Sequence, residues 1–187
     1  MDAFNFVFSL FGLLLGFSLA EVLSGFAKAL NRRHVVRLGW LTPLLAVFLM
    51  LDLTGFWSWA WGDREQLAPA YGILIIGLFV SGLYYLAASI VFPSEFGEHT
   101  DFDQHYMDHR RFVLGAVFIC NLIPVAPDFI TRASAIPGIE LVQTGLYFGA
   151  LIIAWATRNK AVNIAALAVL IAVLSFAGLA SVVPILG

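Results

Sequence analysis

Six apolar runs, each near the length a helix needs to cross a bilayer, fill most of this sequence and decide its class before any motif is considered. A hydrocarbon core about 30 Å thick takes roughly 20 residues in helical form. Residues 4–30, 38–62, 67–92, 112–126, 139–157 and 161–184 reach or approach that length. Lipid offers no partner for a free backbone N–H or C=O, so such runs are helices, and short connections make consecutive helices antiparallel neighbours. The expected fold is all-α: a polytopic integral membrane protein, one transmembrane domain over residues 1–187, a bundle of six transmembrane helices. Composition agrees, with 61% hydrophobic and 12% charged residues against roughly 45–50% and about 25% in soluble domains. The first run begins without Lys or Arg and outlasts the roughly 7–15 residues of a signal-peptide core, so it reads as a retained helix.

One long polar segment, 93–111 (PSEFGEHTDFDQHYMDHRR), separates three spans from three. The positive-inside rule orients the whole. Lys28, Arg32, Arg33, Arg37, Arg110, Arg111, Arg158 and Lys160 fall on one side and only Arg64 and Arg132 on the other. The expectation is a cell inner membrane location with both termini outside, in the periplasm, and segment 93–111 in the cytoplasm. Trp57, Trp59 and Trp61 crowd the outer end of the second span, while Trp40 and Trp155 sit near inner ends, as interfacial anchors do. The segments RLGWLTPLLAVFLMLDLTGFW and LYYLAASIVFP, followed by DFDQHYMDHRRF, resemble segments of bacterial inner-membrane proteins without an assigned activity, a resemblance that implies a location and no reaction.

The fourth span is the shortest. Pro124, Pro127 and Pro137 surround its outer end, where termination of the helix and an outer loop at about 127–138 are expected. Its start can lie earlier, because Thr100-x-x-Asp103 has the form of a capping box. Three spans on each side of the polar segment is also the arithmetic of an inverted repeat, common in transporters, but the two halves share no matching residues.

Small residues recur at helical spacing: Gly12, Gly16, Ala20 and Ser24 on the first span, Gly145 and Gly149 on the fifth. In lipid, close packing of such faces replaces the missing hydrophobic drive. The bilayer is thus one partner, and another helix of the same chain, a second copy of the chain or another membrane protein is a candidate for these faces. A net charge of −2 and the lack of a Lys/Arg-rich tract exclude a nucleic-acid partner. Cys120 stands alone, so no disulfide or cysteine-based metal site forms within one chain.

Two acids lie at hydrocarbon depth. Glu21 is about 6 Å to the inner side of its span's midpoint and Asp52 about 3 Å to the outer side of its own. An acid there faces a bundle interior, a partner or a water-filled cavity, and marks proton relays and cation sites. The competing expectation is that each acid only locks helices together, with Ser18, Asn121, Gln143, Thr144 and Asn163 as available partners and Lys28 snorkelling toward the interface below Glu21. In the polar segment, His105 and His109 share a helical face at a divalent-metal spacing, weak as a site because further ligands must fold back from Glu95, Glu98 or His99. No G-x-S-x-G, His-Glu-x-x-His or phosphate-cradling loop is present. The sequence thus leans away from an enzyme and implies no cofactor. The leading expectation is a small channel or transporter for protons or cations through Glu21 and Asp52. The alternatives are an accessory or structural subunit packing on a partner protein and, third, an enzyme acting on lipid at the cytoplasmic face.

Overall fold

A computed structural model describes residues 3–34, 36, 37, 39–62, 70–95, 97, 100–132 and 137–186. They form six α-helices: α1 (Ala3–Asn31), α2 (Leu41–Gly62), α3 (Tyr71–Val91), α4 (Phe102–Arg132), α5 (Gly138–Ala156) and α6 (Lys160–Leu186). Each is long and apolar enough to cross a membrane. Large apolar side chains such as Leu13, Phe17, Leu78, Ile152 and Leu179 lie exposed on the outside of the bundle. Apolar groups on the outer faces of helices require lipid as solvent, so the chain is a multi-pass membrane protein.

The bundle is organised around α2, which packs against α1, α3, α4 and α6. Its Leu41, Leu45, Phe48, Leu49 and Leu53 are buried and make the centre of the core. The two halves pack differently: α1 lies along α3, whereas α4 and α6 do not lie along each other. An inverted repeat would make those two pairs equivalent, and among the described residues they are not.

Among the described side chains of α1, most of the small-residue stripe does not pack within the chain. Leu15, Ser18, Val22, Gly25 and Ala29 are the buried positions, and Gly25 makes room for the Phe92 ring. Gly12 does pack, against Trp57. Gly16, Ala20 and Ser24 are exposed.

The fourth helix is far longer than the expected 112–126. Pro124 and Pro127 lie inside α4 and do not end it; neighbouring helices allow prolines within membrane helices to be tolerated. At its start, the cap is Asp101 and not Thr100. Asp101 Oδ1 accepts the backbone N–H of Asp103 (2.9 Å) and Gln104 (3.1 Å), while Thr100 Oγ1 accepts the N–H of Gly97. The second half of the polar segment is therefore the first three turns of α4.

Those turns fold back onto the α1–α2 connection. Across an isolated bridge to Asp101, the Arg37 N–H donates to the Thr100 carbonyl and the Arg37 carbonyl accepts the N–H of Phe102. The Asp103 carboxylate accepts the N–H of Leu41 at the head of α2 (2.9 Å) and pairs with Lys160 at the head of α6. Gly39 passes beneath that carboxylate with φ +53°, in the left-handed region that favours glycine, and any Cβ there would overlap Asp103. One aspartate thereby ties three helix starts together.

Candidate functional site

Asp52 sits at the midpoint of α2 and is 2% exposed. A carboxylate cannot stay unpaired at this depth, and three other helices supply donors. The hydroxyl of Tyr84 on α3 donates to Oδ2 (2.7 Å) and that of Tyr147 on α5 donates to Oδ1. Asn121 on α4 brings Nδ2 to 3.1 Å from Oδ2 and 3.3 Å from Oδ1. The same nitrogen lies 3.0 Å from Tyr84 Oη and 3.0 Å from the Val117 carbonyl, so two amide protons are shared among closely placed acceptors. Each oxygen of Asp52 thus accepts a tyrosine O–H, with the Asn121 amide between them.

Tyr147 makes the longest reach. The backbones of α2 and α5 do not touch among the described residues. Its hydroxyl bridges the gap, with its ring against Phe48 and at right angles to Phe148. Beside it, an open groove of about 190 Å³ lies between α4, α5 and α6, lined by Asn121, Gln143, Thr144, Tyr147 and Val173 among others. Asn121 and Tyr147 therefore form a wall with Asp52 behind and the groove in front. Toward the polar-segment end, Leu45, Phe48, Leu49, Leu114, Val117 and Leu151 are all buried and close the core.

Glu21 is elsewhere. It is exposed on the outside of α1, flanked by the exposed Ala20 and Ser24, and has no ion pair among the described residues. The structure does not bring it to Asp52. Of the other polar side chains expected as partners, Ser18 turns back onto the Leu14 carbonyl. Asn163 accepts the Tyr106 hydroxyl (2.7 Å) and donates to the carbonyls of Thr157 and Asn159, pinning α4 to the start of α6.

His105 and His109 stack with ring centroids 4.2 Å apart. Each commits one ring nitrogen to a carbonyl: His105 Nε2 to Ile90 at the end of α3 (2.8 Å) and His109 Nδ1 to His105 (3.0 Å). Glu98 and His99 lie outside the described residues. Among the described residues, no three His, Cys, Asp or Glu side chains gather to hold a metal ion. The polar-segment end instead holds helices together through Arg110, which is 1% exposed; its Nε–H donates to the Ala154 carbonyl at the end of α5.

Sequence reasoning found Asp52 and Asn121 but missed both tyrosines. A signal existed: Tyr84 and Tyr147 stand deep within their spans, away from the interfacial belts where membrane tyrosines usually collect. No protein-family model, curated protein or solved structure matches the chain.

Proposed function

We propose that the chain is a small membrane transporter in which Asp52 binds and releases a proton, in the class of proton or cation carriers. One observation carries this reading: an acid at the centre of the membrane-spanning core, held by hydroxyl and amide donors and separated from an open, partly polar groove only by Asn121 and Tyr147. The surrounding groups favour a proton over a metal cation. They present hydrogens to the carboxylate, whereas a bare cation needs a shell of oxygen lone pairs. A proton reaching Oδ1 from the groove displaces the Tyr147 O–H bond and lets the phenol oxygen turn from donor to acceptor. The closed core toward the polar-segment end supports a gated carrier over an open pore. Glu21 has no part in this path.

The same reading places the Arg-rich end in the cytoplasm and both termini in the periplasm of an inner membrane, on the eight-to-two distribution of Lys and Arg. The test is proton flux into proteoliposomes under an imposed pH gradient. Wild type should dissipate the gradient, Asp52→Asn should lose at least tenfold of that rate while keeping its helical content, and Tyr147→Phe should fall between. Silence of the wild type toward protons, sodium and potassium, or full activity of Asp52→Asn, overturns the reading.

A second reading, a subunit that packs on a partner membrane protein, is favoured by α1, where Gly16, Ala20 and Ser24 lie unfilled beside the exposed Glu21. There, Ala20→Phe should lower the mass of the assembly extracted in mild detergent without changing the unfolding midpoint of the isolated chain.

A further inference from the structure

A second groove lies on the outer surface between α4 and α5, about 360 Å³ in volume, within the roughly 300–1,000 Å³ range of ligand clefts. Its walls are Leu114, Phe118 and Ile119 from α4 and Leu151, Ile152 and Trp155 from α5, and its floor opens at Gly115. The glycine creates the space: a Cβ there would come to 3.6 Å from the Trp155 indole nitrogen, so any longer side chain would enter the groove. At hydrocarbon depth an open apolar groove is filled by lipid tails.

What sits at its mouth is specific. The Trp155 indole N–H donates to the Arg111 carbonyl (3.1 Å), and the Arg111 guanidinium lies 5.4 Å from the indole centroid. Both side chains are exposed. Arg158, likewise exposed, follows three residues after Trp155, just past the end of α5. Neither Arg111 nor Arg158 is in a salt bridge among the described residues. An apolar groove running inward from unpaired arginines, with a tryptophan at the boundary, matches an anionic phospholipid in both parts: basic pockets between membrane helices take acidic headgroups, and indole rings sit at headgroup level.

We propose that the α4–α5 groove binds one anionic phospholipid, its acyl chain along Leu114, Phe118 and Ile152 and its phosphate on Arg111 and Arg158. Native mass spectrometry of the full chain in detergent, given equal amounts of phosphatidylglycerol and phosphatidylcholine, tests this. Wild type should retain one phosphatidylglycerol in preference. Arg111→Gln, a change at an exposed position, should cut that preference about fivefold, the worth of one basic residue against an acidic headgroup, and Arg111→Lys should restore part of it. Gly115→Leu should lose the bound lipid of either kind. Excess inorganic phosphate should leave the adduct intact. Equal retention of both lipids by wild type, no change in Arg111→Gln, or displacement by free phosphate overturns the proposal. So does a lipid-independent dimer abolished by Gly115→Leu, which would put a second copy of the chain in the groove.

Discussion

Replacing Asp52 separates its two possible duties, because asparagine and leucine remove different things. The carboxylate accepts from Tyr147 at Oδ1, from Tyr84 at Oδ2 and from Asn121 at 3.1 Å and 3.3 Å. Asparagine keeps one acceptor oxygen. Its amide is best placed where Oδ1 was, facing Tyr147, whose hydroxyl can turn to accept but then has a proton without a partner. One buried orphan of that kind costs about 1–3 kcal/mol. Leucine removes both acceptors and orphans the hydroxyl protons of Tyr84 and Tyr147, while Asn121 keeps Tyr84 Oη and the Val117 carbonyl. Two orphans come to about 2–6 kcal/mol. Hydrogen bonds between membrane helices have measured at most about 1.7 kcal/mol each, which favours the lower half of that range, ~2–4 kcal/mol. The assay is unfolding by a denaturing detergent in mixed micelles, followed by far-ultraviolet circular dichroism. The order of stability should be wild type, then Asp52→Asn, then Asp52→Leu, with Tyr147→Phe close to Asp52→Asn. A leucine variant within about 0.5 kcal/mol of wild type, inside the usual scatter of neutral substitutions, would refute the claim that this acid joins four helices.

Two further outcomes check the ends and the centre of the bundle. Gly39→Ala forces a left-handed residue to carry a Cβ and pushes the Asp103 carboxylate off the Leu41 N–H and Lys160; a loss of about 1–3 kcal/mol is expected in the same unfolding assay. Cys120 is fully buried, with its thiol toward the Val80 carbonyl, so a membrane-permeant maleimide should label native protein slowly and Asp52→Leu much faster, and rapid labelling of wild type would contradict the packed core.

The class of fold was legible because lipid leaves a chain so few choices. Span length and the need to pair every backbone group allow little besides a helical bundle. The ends of α4 were harder to read. Pro124 and Pro127 are breakers in water, yet helix neighbours in a membrane supply what a proline removes, so local propensity misplaced that boundary. Which face of α1 packs within the chain was hidden for a related reason. Gly16, Ala20 and Ser24 form a regular stripe, but Gly25 and Gly12 are used because Phe92 and Trp57 need room. Which small residue is occupied depends on the large residue opposite, and that residue belongs to another helix.

The site shows the same division between what one helix states and what only several together reveal. An acid in an apolar run announces itself, since no lipid-facing position tolerates it cheaply. Both Glu21 and Asp52 carry that signal, and the sequence cannot rank them, because rank depends on donors from elsewhere. Asp52 received them from residues 84, 121 and 147, on three different helices. Tyrosine is ambiguous in sequence: its ring suits lipid and its hydroxyl suits a carboxylate. At Tyr147 the second property governs the geometry, since the hydroxyl reaches across a gap that the backbones of α2 and α5 leave open. A side chain that spans such a gap is the element most exposed to a change of charge on its partner. On the proposed reading, a proton on Asp52 acts on the hold between α2 and α5, beside the groove lined by Asn121 and Tyr147.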